Sequence, residues 1–321
     1  LSGVQPNPRL SKAHEGIDLC RKERVDCILA VGGGSVIDTA KAVGVGALYD
    51  GEIWDLFGHD VLQDYPMLPL GVILTIPAAG SETSHALNLV KEPEMLKWVY
   101  ASLNIRPDFA ILNPELTYSL PPYQTACGIT DILSHVMERY LGMTKPAEIT
   151  DKLCEALMRG IINVAPKVFD NPNDYDARAE IMWAGTIAHN DFFGVGRDQD
   201  WAAHNIEHEL SAEYDLTHGA GLAIIFPAWC RFIAQERKER FVQFAVRVWD
   251  VDLYLGNKDD IIEEGIRRME AFFRRMGLQT RLSEIGIDSK DFDKMAKRGA
   301  PTGFSRRHDY DDFISVYNLA L

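Results

Sequence analysis

Cysteine is scarce in this chain of 321 residues: Cys20, Cys27, Cys127, Cys154 and Cys230 are odd in number, scattered and without a C-x-x-C pair. That usage excludes a disulfide framework and a thiolate-rich zinc knuckle, and it fits a reducing cytoplasm. Long apolar runs are missing too, since no stretch approaches the roughly 18 residues of a membrane-spanning helix, and a membrane protein is not expected. Positive charge is in deficit, with 33 Lys and Arg against 47 Asp and Glu and a formal net charge of −14. A phosphate backbone would be repelled on average, which argues against a nucleic-acid partner. The chain opens on Leu1 with no initiator Met and no charged-then-apolar signal segment. Its loop-like first residues, Leu1-Ser2-Gly3-Val4-Gln5-Pro6-Asn7-Pro8, read as a start in mid-domain.

What is present divides into two textures. The length favours two domains, because single cores usually serve about 100 to 200 residues. Residues 10–24 carry helix formers, residues 25–31 form a short apolar run of strand length, Gly32-Gly33-Gly34-Ser35 interrupts it, and residues 36–48 read as a helix. A loop with Trp54 and Phe57 precedes a second buried strand at 70–76. Strands alternating with helices point to a parallel sheet. Beyond Pro121, helical periodicity takes over at 123–141, 149–169, 177–190, 201–212, 220–235, 237–249 and 259–276, with no strand between. Prolines punctuate the change, so the expected division is an α/β domain over 1–120 and an all-α domain over 121–321.

Gly33, Gly34 and Ser35 lie where a strand turns into a helix, a place where backbone N–H groups and the helix dipole favour phosphate. The spacing is not G-x-G-x-x-G, and Asp38 in the first turn has a simpler reading as a dipole partner. A second loop, Thr75-Ile76-Pro77-Ala78-Ala79-Gly80-Ser81-Glu82-Thr83-Ser84, follows the second strand. Ligands of open α/β sheets sit beyond the carboxyl ends of strands, so the two loops support each other.

Asp131 and His135 are four apart in a helical segment and share a face. His204, His208 and His218 crowd into fifteen residues, and His204 and His208 are again one turn apart. Spacing leaves all three eligible as metal ligands. A mixed Asp/His set with an open position suits a catalytic Fe(II) or Zn(II). Glu207 and Glu209 read as solvent-facing in preference to supporting the ligands. A lone histidine is more often a satisfied core or surface group, and His14, His59, His85, His189 and His308 are read that way.

VQPNP, LAVGGGSVIDTAK, LTIPAAGSET, LNPELTYSLPP, GITDILSHVME, DWAAHNIEHELSAEYDLTHGAGLAIIFP and VRVWDVD occur in this order across nearly the whole chain. Together they resemble the iron-containing alcohol dehydrogenase family, in its butanol dehydrogenase and broad-range aldehyde reductase branch. The resemblance implies a dehydroquinate-synthase-like architecture: a Rossmann-like α/β domain, an all-α domain, and the active site in the cleft between them. It implies metal ligands at Asp131, His135, His204 and His218, and it places His208 beside the nicotinamide, as a candidate proton relay. Contacts to NAD(H) or NADP(H) would fall on Gly33, Gly34, Ser35, Asp38, Thr75, Ile76, Pro77, Ala78, Ala79, Ser84, Lys97 and Tyr118. The implied reaction interconverts aldehydes and primary alcohols, the metal acting on the substrate oxygen, in a broad apolar pocket lined by residues such as Trp54, Phe192 or Trp201. A homodimer follows by the same analogy.

Two departures stand out. Family members begin earlier, with a segment that binds the adenosine side, and Asn113 replaces an aspartate, which alters a cap. Rival readings are a polyol dehydrogenase, a sugar-phosphate cyclase on the same scaffold, for which Lys145 and Lys167 are too scattered, and a truncated remnant that keeps a metal site without closing around a dinucleotide.

Overall fold

In the computed structural model, which describes residues 1–58, 64–143 and 147–321, the first apolar stripe becomes helix α1, Leu10–Glu23, with Leu10, Ala13 and Ile17 buried. His59 and Lys145 lie outside the described residues. Arg24, in the left-handed region at φ 55°, turns the chain into strand β1, Ile28–Gly32, and the glycines then open helix α2, Gly34–Leu48. Strand β2, Leu70–Leu74, pairs in parallel with β1. An antiparallel hairpin follows, β3 at Ala86–Lys91 and β4 at Leu96–Ala101, and then β5, Phe109–Leu112, which joins the far side of β2 in parallel.

The expected parallel sheet is thus present, in the order β1-β2-β5. The hairpin and β5 were not anticipated. The hairpin's alternation is cut in two by Glu92-Pro93-Glu94-Met95, and β5 has only 4 residues, too few to show a period. Helix α2 covers one face of the sheet, where Ile37 and Ala40 pack on Ala30, Leu70, Val72 and Leu74. The alternate side chains point the other way. Leu29 and Val31 on β1 and Phe109 and Ile111 on β5 are 56%, 55%, 54% and 48% exposed.

Among the described residues the remaining long elements are helices: α3 Pro122–Tyr140, α4 Glu148–Asp170, α5 Tyr175–Ala188, α6 Ala202–Tyr214, α7 His218–Ile233, α8 Lys238–Trp249, α9 Lys258–Arg275, α10 Phe292–Gly299 and α11 Tyr310–Ala320. Seven of these match expected segments; α10 and α11 were not foreseen. Helix α7 is buried without a break from Gly219 to Cys230, the burial of a central helix that is apolar on every side. It packs against α3, α6, α9 and α11 and forms the axis of the helical half. Among the described residues, no helix is long and apolar enough to cross a membrane.

Candidate active site

Three helices converge on one carboxylate. Helix α3 carries Asp131 and His135 on one face, α6 carries His204 near its start, and His218 is the first residue of α7. Asp131 Oδ1 lies 3.6 Å from His135 Nε2, 3.8 Å from His204 Nε2 and 3.7 Å from His218 Nε2. Close helix packing makes this possible. A Cβ at Gly219 would run into the backbone carbonyl of Cys127, one turn before Asp131, so only glycine lets α7 bring His218 this near.

Asp131 Oδ1 and His204 Nε2 are buried without a hydrogen-bond partner. Such an orphaned pair is costly in a folded protein unless something binds between the atoms. Donor atoms around a tetrahedral ion with bonds of about 2.1 Å stand roughly 3.4 Å apart, close to the separations found. The donors of Asp131, His135 and His204 all lie within 4.8 Å of one another and so fit a divalent ion, while His218 approaches through Asp131 and groups within that distance with Glu207 and His208.

A second layer orients the rings. Glu138, from α3, accepts from His204 Nδ1 at 2.9 Å and also from the backbone N–H groups of Trp201 and His204 at 2.8 and 3.1 Å. A carboxylate can only accept, so Nδ1 of His204 carries a proton and Nε2 is the nitrogen turned toward Asp131. Glu207 does the same for His218 Nδ1 and accepts from Ser211 Oγ at 2.5 Å. The solvent-facing expectation for Glu207 and Glu209 is therefore corrected. Both are buried, Glu207 behind His218 and Glu209 against Arg298. Burial acts against the charged form of His204, but the nearby Asp131 carboxylate and the hydrogen bond to Glu138 prevail and raise its pKa to about 9. His135, by contrast, is held well below the ordinary histidine range by burial and by the neighbouring His189 and His204.

The cluster forms part of the wall of a cavity of about 1050 Å³, which also takes in the start of α2. Of the residues expected to meet a dinucleotide, Gly33, Gly34, Ser35, Asp38, Ile76, Ala78, Ala79, Ser84 and Lys97 line this cavity. Thr75, Pro77 and Tyr118 are not in its lining; Tyr118 instead closes the short turn Pro114–Thr117. Asp38 is more than a dipole partner, because its buried carboxylate accepts from Ser81 Oγ at 2.5 Å and Asn88 N at 3.0 Å and ties α2 to both following segments. Asn113 caps the Pro114–Thr117 turn by accepting from Glu115 N at 3.1 Å, as its position implied. His208 lines the cavity with its ring 5.3 Å from that of His218. Burial, then Lys97 and the neighbouring histidines, push its pKa well down, so its ring is neutral near pH 7 rather than poised there.

The expectation of an apolar substrate pocket is only partly met. Trp201 lines the cavity, but Trp54 stacks on Phe57 and Trp98 in the α/β core, and Phe192 is exposed outside the lining. His85, Arg139, His189, Asp191 and Arg197 line it instead. The reading of isolated histidines as satisfied groups suits His14, 2.7 Å from Glu52, and holds only in part for the buried His308, whose Nδ1 is 2.9 Å from Arg306 but whose Nε2 has no partner. It does not suit His189, whose Nδ1 has no partner.

Sequence signals for the missed residues exist. Glu138 lies three residues after His135 and seven after Asp131, on their helical face, and Arg139 lies four after His135.

Residues 1–114 match the profile of the iron-containing alcohol dehydrogenases, and residues 125–311 match the C-terminal profile of the Fe-containing alcohol dehydrogenase family. A probable NADH-dependent butanol dehydrogenase of Bacillus subtilis is 39% identical over all of this chain and 84% of its own length. An NADPH-dependent aldehyde reductase of Escherichia coli is 34% identical over 97% of this chain and 81% of its own. The crystal structure of an NADH-dependent butanol dehydrogenase from Thermotoga maritima superposes with a TM-score of 0.94 at 37% identity, covering all of this chain and 82% of that one. The chain belongs to the iron-containing alcohol dehydrogenase family.

Proposed function

We propose that this protein interconverts aldehydes and primary alcohols with one divalent ion, Fe(II) or Zn(II), and a nicotinamide dinucleotide, NAD(H) or NADP(H). One observation carries the reading: a single carboxylate oxygen faces three imidazole Nε2 atoms at 3.6 to 3.8 Å in the wall of a cavity that also takes in a helix N-terminus. The names of the relatives, a butanol dehydrogenase and an aldehyde reductase, point to the same substrate class.

In this reading Asp131, His135, His204 and His218 hold the ion, and residues 121–321 form the metal-binding domain. Residues 1–120 form the dinucleotide domain, with Gly33, Gly34 and Ser35 at the phosphates and Lys97 on the opposite wall. When bound, the ion supplies Lewis acidity toward the substrate oxygen and the dinucleotide supplies the hydride. The chain itself orients these groups. Glu138 and Glu207 fix two rings, and His208 presents a neutral imidazole that can relay a proton from solvent, taking one up on one nitrogen as the other gives one to the substrate oxygen, or pack against the nicotinamide. Measuring hydride transfer against pH in His208→Ala separates these roles, since an unchanged profile contradicts proton relay. A homodimer and a cytoplasmic location are carried over from family likeness.

A sugar-phosphate cyclase would need several free cations for phosphate, whereas Arg139, Arg197 and Arg298 in the cavity wall already face Asp191, Asp151 and Glu209, leaving Lys97 and Arg307 as the lining cations without a carboxylate partner among the described residues. The direct test is metal analysis combined with an NADH-versus-NADPH activity screen over short-chain aldehydes. Turnover that needs both metal and nicotinamide supports the reading, and turnover indifferent to either contradicts it.

A further inference from the structure

In the wall next to the ligand cluster, His189 is a polar side chain with nothing to bind among the described residues. His189 follows the last turn of α5, and its ring centroid is 4.1 Å from that of His135 and 5.3 Å from that of Trp201. Among the described residues, no hydrogen bond reaches either of its ring nitrogens. Its Nδ1 is sealed from solvent, while the residue as a whole is half-buried and lines the cavity, so Nε2 is the nitrogen left to meet a ligand.

The base of the side chain is held in place. Gly80, at φ 62°, presses the loop after β2 against the end of α5, where a Cβ would collide with His189 Cβ and the carbonyl of Gly185. Nor can a neighbour satisfy it. The nearby carboxylate of Asp191 is already faced by Arg106, by Arg139 Nη2 at 3.5 Å and by His85 Nδ1 at 2.7 Å. Arg139 is held in turn, with Nη1 donating to the carbonyl of His135 at 2.9 Å and its guanidinium 4.6 Å from the Trp201 ring. An unpaired imidazole between a ligand histidine and a tryptophan discriminates among substrates, because a site that lacks its hydrogen-bond partner loses free energy on closing.

We propose that His189 is a specificity-determining residue. Its free nitrogen hydrogen-bonds a second oxygen of the substrate, so aldehydes with a hydroxyl on the neighbouring carbon or the next are preferred to plain alkanals of the same size. This rests on the assignment of the Asp131 cluster as the reaction centre.

The test compares kcat/KM for two pairs that differ only by a hydroxyl in place of a methyl: 3-hydroxypropanal with butanal, and 2-hydroxypropanal with 2-methylpropanal. In at least one pair the native enzyme favours the hydroxylated member by about tenfold, the scale of one buried hydrogen bond. His189→Leu lowers that ratio about tenfold, and His189→Gln, which keeps a side-chain donor and acceptor, restores part of it. Native ratios at or below one in both pairs overturn the proposal, as does an unchanged ratio in His189→Leu. If thermal melting shows the leucine variant unfolded, the native ratios and the glutamine variant decide. A native protein that reduces none of the four aldehydes with NADH or NADPH contradicts the oxidoreductase reading itself, whereas butanal turnover without hydroxyl preference overturns only the role of His189.

Discussion

The helical half and the α/β half bury their apolar surface differently. In the helical half, α7 is enclosed by four other helices, and its glycine-first turn brings His218 to Asp131. In the α/β half the parallel sheet is covered by α2 on one face and exposes Leu29, Val31, Phe109 and Ile111 on the other. Parallel sheets are normally covered on both faces. The contrast teaches that the proposed metal site depends on helix packing, while the proposed dinucleotide site depends on a sheet with one open face. The chain spans 84% of the length of the Bacillus subtilis relative.

This comparison can be broken at several points. The largest effect is expected from His204→Ala, which removes a proposed ligand. Activity should fall by at least about a thousandfold, the scale for losing an electrostatic element of catalysis, while dinucleotide binding, followed by fluorescence titration, persists. Loss of both together would show that the halves are not separable. The same titration on the native protein tests the remnant reading, which predicts no dinucleotide binding at all.

A somewhat smaller effect is expected from Glu207→Ala, which leaves His218 without its orienting carboxylate. Metal affinity should drop about 10- to 100-fold in competition with a chelator, with the folded structure retained. An unchanged affinity would mean that helix packing alone aims the ring.

The helical half also carries a buried ion network, in which Asp151 on α4 meets Arg197 and accepts from Arg240 Nη1 at 2.5 Å and Gln243 Nε2 at 3.2 Å. Asp151→Ala should cost about 3 kcal/mol in denaturant unfolding, because it leaves buried cations unpaired. Burial pushes the Asp151 carboxyl up, but hydrogen bonds from Arg240, Arg197 and Gln243 prevail and hold it below its ordinary value. Its folded form thus binds fewer protons than its unfolded form, so its contribution is full above the unfolded value of about 3.9 and is lost as pH falls through the folded one. Native stability should decline more steeply below about pH 4 than that of Asp151→Ala. Parallel declines would contradict this account.

The smallest effect is expected on the bare sheet face. Leu29→Ala should change stability by no more than about 0.5 kcal/mol, whereas Leu74→Ala on the covered face should cost roughly 2 to 5 kcal/mol. Similar costs at both positions would mean that the open face is covered in solution.

Much of the proposed site was legible in the sequence, and the limits have physical causes. Asp131 and His135 were visible because a spacing of four fixes a shared helical face whatever the tertiary fold. The choice between His204 and His208 was not visible, since both are one turn apart and only the rotation of α6 against α3 separates them. Glu207 was misread because a charged residue in a polar stretch usually faces water, and the burial that makes it a partner of His218 comes from the Gly221 position on α7, where a Cβ would occupy its carboxylate. His189 carried no local signal at all. Its neighbour His135 lies on a different helix far back in sequence and Trp201 follows beyond a turn, and its unpaired state exists only once the three segments are packed.

The central claim is tested most directly by counting metal in the purified protein by plasma mass spectrometry, native against Asp131→Asn. The account predicts about one bound Fe or Zn per chain in the native protein and its loss in the variant with helix content unchanged. A native protein that takes up no divalent ion when reconstituted, or a variant that retains the ion at full occupancy, would contradict it.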